Sequence, residues 1–179
     1  HPLGLFHTYL SREEALKQGV LSCGHKLSFL RQRPYDAPFI RGNLAGGYIM
    51  SCIHDMGRWL RIQMGIEDIG EEYKTLINKL HEGKYDLKEN PGYKIAAGWH
   101  INNDTDVIQY MGSNPNFSSK IIFSPSKKWG VCVLANANSS LTYYLADNIL
   151  KCSKQKLISP YHADAYQRTD LFFTILCGI

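Results

Sequence analysis

Between Asp106 and Asn138 the chain alternates apolar runs with clusters of turn formers: DVIQYMGSNPNFSSKIIFSPSKKWGVCVLANAN. Residues 107–111 are short and apolar, and Gly112-Ser-Asn-Pro-Asn116 is a loop of turn formers. Residues 117–124 form a second apolar run, and Pro125-Ser-Lys-Lys128 is a tight reversal. WGVCVLA (129–135) is almost continuously apolar, so it needs cover on both faces inside a sheet sandwiched by helices. With a run at 93–101 before the turn at 102–105, the pattern predicts strands over 93–101, 106–112, 117–124 and 128–136 in one antiparallel meander. Leu141, Leu145, Asn148 and Cys152 then share a helical face, predicting a helix over 139–152, capped by Ser139 or Ser140, that packs across the meander. The fold class is α/β in the α+β sense, an antiparallel meander flanked by helices.

Upstream, Ser11-Arg-Glu-Glu14 has the capping-box form and opens a brief helix to about residue 17. Residues 21–40 are broken by Gly24, Pro34 and Pro38, with extended pieces expected around 26–31. Ala45-Gly46-Gly47 calls for a close backbone approach or a positive φ. Ser51 is the expected cap of a helix whose Met56, Trp59, Leu60 and Met64 share a face and which Gly65 stops. Tyr73, Leu76, Ile77 and Leu80 predict a second helix over about 70–82, followed by polar, turn-rich chain at 83–92. Two units are expected: 1–153, and a loose polar linker with an apolar end at 154–179. That end, LFFTILCGI, reads either as a terminal element docked on the core or as the opening turns of a membrane helix. Nine residues are far short of the ~20 needed to span a bilayer.

Composition narrows the functional classes. The 179 residues suffice for one sizeable core, and 44% hydrophobic with 20% charged residues is ordinary for a globular chain. A net charge of +4, with Lys and Arg scattered and no interleaved aromatic stripe, argues against nucleic-acid binding. Five widely spaced cysteines form no CxxC or Cys/His metal spacing, and His7, His25, His54, His81, His100 and His162 have none either, so no metal or cofactor is expected.

Three segments resemble one family, in order. PLGLFHTYLS (2–11) is similar to a PLGMxxTxxS segment, and NLAGGYIMSCIHDMGRWL (43–60) to PAGGxxSxxxDMxxWL. The 106–138 stretch is similar to a His/Lys-x-Gly strand, a Phe-Ser-Ser loop and a GVxVLxN strand. These are segments of the C-terminal half of the serine β-lactamase/penicillin-binding family, in its class C-like branch. The resemblance implies a partial β-lactamase/transpeptidase-like fold and acyl transfer on amide, ester or peptidoglycan-like peptide substrates. It implies a bacterial, extracytoplasmic or secreted location, with the membrane approached through the C-terminus. A peptide or β-lactam-like molecule is the implied ligand.

In that family the Ser-x-x-Lys nucleophile and the Tyr-x-Asn or Ser-x-Asn partner lie upstream of the PLGM segment. No Tyr-x-Asn or Ser-x-Asn occurs here. Ser-x-x-Lys occurs at Ser124–Lys127 and Ser153–Lys156, one in a reversal and one where a helix gives out, so neither meets the demands of a nucleophile at a helix start. The resemblance thus implies that the domain's N-terminal half is the partner of this chain, which alone is expected to be inactive. The implied half-site is Tyr110, Gly112 and Ser113. Tyr110 stands where the family has His or Lys; it keeps a hydroxyl but carries no positive charge. Gly112 admits substrate, and the Ser113 backbone N–H takes the place of one oxyanion-hole donor. Asp55 reads as a first-turn helix charge, Trp99 and Trp129 as packing aromatics, and Asn136 and Asn138 as strand-to-helix caps. The alternative is a non-catalytic remnant in which Tyr110 marks the loss of the polar triplet.

Overall fold

The computed structural model describes residues 2–19 and 21–178, with the side chains at 41, 44 and 45 outside that description. Ser11 accepts from the Glu14 N–H at 3.1 Å and opens α1 (Arg12–Lys17), as its motif predicts. The Gly/Pro-broken segment is a two-stranded hairpin, β1 (His25–Ser28) and β2 (Arg31–Pro34). One 3-10 turn, Arg41–Asn43, leads into the single turn of α2 (Leu44–Gly47), then α3 (Ile53–Gln63) and α4 (Glu71–Leu80). Cys52, not Ser51, stands at the cap of α3 and makes no side-chain cap bond; the Ser51 hydroxyl instead meets Thr8 Oγ1 at 2.8 Å.

The main sheet follows: β3 (Tyr85–Asp86), β4 (Lys94–Ala96), β5 (Trp99–Asn102), β6 (Val107–Asn114), β7 (Phe117–Ser124) and β8 (Trp129–Ala135). Its strands lie in sequence order and every neighbouring pair is antiparallel. The predicted meander is therefore present, with three corrections, the first being that residues 85–86, in the stretch expected to be only turn-rich, add the further strand β3 beside β4. The run at 93–101 is two strands, because Ala97 and Gly98 both adopt positive φ (47° and 89°) and fold it into a hairpin. The 112–116 loop is mostly strand: Gly112, Ser113 and Asn114 pair with Ser119, Ser118 and Phe117, leaving only Pro115 and Asn116 to turn. Cross-strand pairing overrides the turn preference of the Gly-Ser-Asn triplet.

Two helices cover the two faces. On one, Leu60 and Met64 of α3 pack with Ala96, Trp99, Ile101, Ile108 and Phe123. On the other, Ala146 of α5 (Leu141–Ser153) packs with Val107 and Ile122, flanked by Trp129, Val131 and Val133. Phe123 and Ile122, neighbours on β7, are 0% and 1% exposed, so the end of that strand is covered on both faces.

The 154–164 segment has no regular structure but is not loose. The Ser159 N–H donates to Asn148 Oδ1 at 2.9 Å, and Ser140 Oγ meets Tyr161 OH at 3.0 Å. Asp164 then forms a full capping box with Gln167 at the start of α6 (Ala165–Leu176). Among the described residues no helix is long and apolar enough to cross a membrane.

His81, at the end of α4, is wedged against Phe123 and Trp99 with ring centroids 5.6 and 6.2 Å away, and its Nε2 lies 2.7 Å from Gln63 Oε1. Burial holds its imidazole neutral and pushes its pKa from 6.5 down to about 4. Between those two values an unfolded chain binds a proton that the folded one does not. Stability is therefore complete above about pH 6.5 and falls as pH drops toward 4, by on the order of 2–3 kcal/mol. Urea midpoints across that window should fall for the native chain and stay flatter for His81→Phe. Parallel curves for the two proteins would remove His81 as the acid-sensitive group.

Candidate functional site

The strand carrying Tyr110, Gly112 and Ser113 runs past the end of its neighbour. β5 pairs with β6 only from Asn102↔Val107 to His100↔Gln109, whereas β7 pairs with β6 out to Asn114↔Phe117. Residues 110–114 are thus registered on one side by β7 and lie beyond β5 on the other. A substrate backbone could add to this stretch, provided the strand is held rigidly.

Four side chains hold it. Tyr143 of α5 donates its hydroxyl to the Gly112 carbonyl at 3.1 Å. Asn138, from the bend between β8 and α5, donates to Ser113 Oγ at 3.3 Å and to the Asn114 carbonyl at 2.9 Å. Asn114 donates to the Gly47 carbonyl at 2.7 Å, and Asn116 to the Tyr35 carbonyl at 3.0 Å. The expected close approach or positive φ at 46–47 is not found: neither glycine has positive φ, a Cβ on Gly46 would meet open space, and one on Gly47 would lie at an ordinary contact distance, 3.4 Å, from Asn114 Oδ1. The Ala45 side chain lies outside the described residues. Asn138 and Asn136 are not helix caps; Asn136 donates to the Cys23 carbonyl at 2.9 Å. Sequence reasoning missed Tyr143 and Asn114, because a bond across about 30 or more residues leaves no local periodicity.

Tyr110 lies opposite Ile121 on the α3 face, 44% exposed, with Trp99 and His100 edge-on at 6.4 and 6.2 Å. Gly112 faces Ser119, and a Cβ there would come within 2.7 Å of Ser119 Oγ. The two sequence matches to Ser-x-x-Lys are structural. Ser124 is fully buried and donates to Asp106, which also accepts from the Ser126 N–H at 3.0 Å and Ser126 Oγ at 2.5 Å. These bonds outweigh the partial burial of Asp106 and hold its carboxyl below the usual range. Ser153 ends α5 and donates back to the Leu150 carbonyl at 2.8 Å. Neither serine sits at a helix start. Trp99 is a core residue; Trp129 flanks the second core with Lys154 over its ring at 5.1 Å. Among the described residues no three His, Cys, Asp or Glu side chains cluster as a metal site.

Asp55 does more than charge a helix start. It is buried, and its Oδ2 accepts from the His7 N–H at 2.7 Å and from Thr8 Oγ1 at 2.8 Å. That single carboxylate oxygen ties the 2–11 segment to α3, and Arg58 reinforces it by donating to the Leu3 carbonyl at 2.8 Å. The Thr in the first resembling segment and the Asp in the second are thus bonding partners.

The family model for beta-lactamases matches residues 1–153. The chain belongs to that family. Protein flp of Staphylococcus aureus (strain MW2) is 31% identical over 155 residues, covering 83% of this chain and 29% of that protein. The chain thus spans under a third of the length of the curated relatives it matches. Among solved structures, the octameric penicillin-binding protein homologue from Pyrococcus abyssi superposes with a TM-score of 0.72 at 26% identity, covering 87% of this chain and 35% of that one. A class C beta-lactamase superposes at 0.69 with 19% identity, covering 84% and 48%, a likeness of fold alone.

The closeness of Gly112 to Ser119 is testable. Gly112→Ala should cost about 1–2 kcal/mol by overpacking, and adding Ser119→Ala should return most of it. Thermal unfolding of the two variants decides this. A double variant no more stable than Gly112→Ala would mean that the crowding lies elsewhere.

Proposed function

We propose that this chain is the C-terminal portion of a serine hydrolase of the beta-lactamase family, contributing one wall of an acyl-transfer site whose nucleophile comes from the domain's N-terminal half. The observation that carries this reading is the braced strand end 110–114, which β5 leaves uncovered, which Tyr143 and Asn138 hold from outside and which its own Asn114 ties to Gly47. In the reaction, a serine hydroxyl attacks the carbonyl of an amide, ester or peptidoglycan-like peptide. The carbonyl oxygen gains negative charge, the amine or alcohol departs with a proton, and water then releases the acyl group from the serine. The Ser113 backbone N–H is the donor this chain supplies to the developing oxyanion, and Gly112 leaves room for the substrate backbone. Tyr110 supplies a neutral hydroxyl beside it. Under this reading, with a peptidoglycan-like substrate, the protein works on the extracytoplasmic side of a bacterial membrane or outside the cell.

One observation favours a second reading, a non-catalytic binding remnant. The Tyr110 ring is engaged edge-on with Trp99 and His100, as a packing residue would be, and it replaces the cation of the triplet.

Labelling with a fluorescent penicillin separates the readings. The 179-residue chain alone should take no covalent label and show no burst with nitrocefin or a p-nitrophenyl ester. Stoichiometric labelling of Ser124 or Ser153 would overturn the assignment. Supplied with the upstream half of its own gene product, the chain should label at a serine of that half, and should gain thermal stability as exposed apolar side chains such as Ile49, Ile53 and Tyr110 are covered. A folded, unlabelled complex would support the remnant.

A further inference from the structure

A cavity of about 530 Å³ opens at the end of the braced strand, where the β6–β7 turn meets the β1–β2 hairpin. Lys26, Tyr35, Ser113, Asn114 and Asn138 line it. An extended ligand paired with the free edge of β6 at 110–114 would run on into this space. The hairpin that forms its second wall is fixed to the turn. The His25 N–H donates to the Asn136 carbonyl at 2.8 Å, and the Asn116 side chain donates to the Tyr35 carbonyl at 3.0 Å. A Cβ on Gly24 would lie 2.5 Å from Asn116 Nδ2, so the hairpin needs glycine there to seat this closely. Tyr166 braces the same strand from above by donating its hydroxyl to the Leu27 carbonyl at 2.8 Å. Lys26 therefore holds a set position relative to Ser113.

Among the described residues Lys26 is the one charged side chain on the cavity wall, and it is half-buried. Its Nζ sits 4.1 Å from the centre of the Tyr35 ring. An aromatic face holds a cation in place without neutralising it. Among the described residues no carboxylate pairs with Lys26, and no Asp or Glu occurs from residue 21 to 35. Across the cavity, Ser113 Oγ accepts from Asn138 Nδ2 at 3.3 Å, which leaves the Ser113 hydrogen free to donate. A cation and a hydroxyl donor, on two walls of one cavity and each lacking an acceptor, match a carboxylate. We propose that Lys26 and the Ser113 hydroxyl form an anion subsite for a carboxylate of the peptide-like ligand, so that the hairpin supplies the positive charge that Tyr110 does not. The proposal rests on the hydrolase reading for the ligand's being peptide-like, not for its charge. Lys26 is then a specificity residue, taking no part in the acyl transfer itself.

Chemical-shift titration of the 179-residue chain, alone and together with its upstream half, tests this. The probes are acetyl-dialanine as the free acid, acetyl-dialanine as the amide, and acetyl-alanyl-glutamate amide. An acid should bind at least about tenfold tighter than the neutral amide, the gain from one charge-assisted contact, and should lose that margin as salt rises. Which of the two acids binds tells a chain-end carboxylate from a side-chain one. Lys26→Met should bring the ratio of acid to amide affinity close to one, and Lys26→Arg should keep it, each with an unchanged circular dichroism spectrum. Equal binding of acids and amide, no binding of any probe, or a preference that survives Lys26→Met would overturn the proposal. So would a preference that disappears when the upstream half is added, which would assign Lys26 to a carboxylate of that half. Acid preference without penicillin labelling of the complex leaves the subsite standing and the hydrolase reading fallen. Labelling without acid preference does the reverse.

Discussion

Strand β7 is buried on both faces through Ile122, Phe123 and Ser124, and much of the molecule is arranged to satisfy it. Ile121 and Phe123 point to the α3 core; Ser118, Lys120, Ile122 and Ser124 alternate toward the other face, where α5 lies. Three of those four residues are polar, so burial demands partners. Ser118 Oγ donates to the Ala137 carbonyl at 2.7 Å and meets Thr142 Oγ1 at 2.8 Å. Lys120 places its ammonium 2.7 and 2.9 Å from the two oxygens of Asp147, and Ser124 is held by Asp106. Asp147 stays half in water, which lessens the desolvation cost of the pair, while Lys120 is almost wholly buried. Losing Asp147 would therefore leave an unpaired ammonium inside the sheet. The position of α5 is set by this polar pairing as much as by Ala146 and Val107.

Fixing α5 in turn fixes the candidate site. The Tyr143 and Asn138 that brace 112–114 come from that helix and the bend leading into it, so a shift of α5 would be felt at the Gly112 carbonyl. The opposite face has an equivalent tie. Asp55 couples the N-terminal segment to α3, and α3 supplies Leu60 and Met64 beneath β7. The family's recurring segments are thus positions where one side chain ties distant chain together, not isolated motifs.

This explains what was legible in the sequence. Strand bounds were legible to within a residue or two at 117–124 and at WGVCVLA, but the latter is not a doubly covered inner strand: β8 ends the sheet, none of its residues is fully buried and Leu134 is exposed. Helix α5 was readable from the spacing of Leu141, Leu145, Asn148 and Cys152, although Leu141 and Leu145 prove exposed and Ala146 carries the packing. What failed was local propensity set against long-range pairing. Gly112-Ser113-Asn114 has turn chemistry but seven successive pairs with β7 keep it extended. Ala97 in a left-handed conformation could not be anticipated, since alanine carries no preference for it. The braces from Asn114, Asn138 and Tyr143 were invisible for a different reason: each links residues far apart in the chain.

Tyr110 is where the family resemblance and the local physics pull apart. A Lys or protonated His at that strand position brings a charge that needs water or a carboxylate. Here the same position borders Trp99, itself buried, and lies across from Ile121, with no carboxylate bonded to it among the described residues. A cation there would keep its charge only by turning toward the open side of the sheet. A phenol meets both demands, with its ring set edge-on to Trp99 and His100 and the residue as a whole 44% exposed. It retains a hydroxyl that can donate a hydrogen bond but gives up the long-range attraction for an anion that a cation would bring. Tyr110 thus keeps hydrogen-bonding capacity at the strand end while carrying no charge to be desolvated beside Trp99.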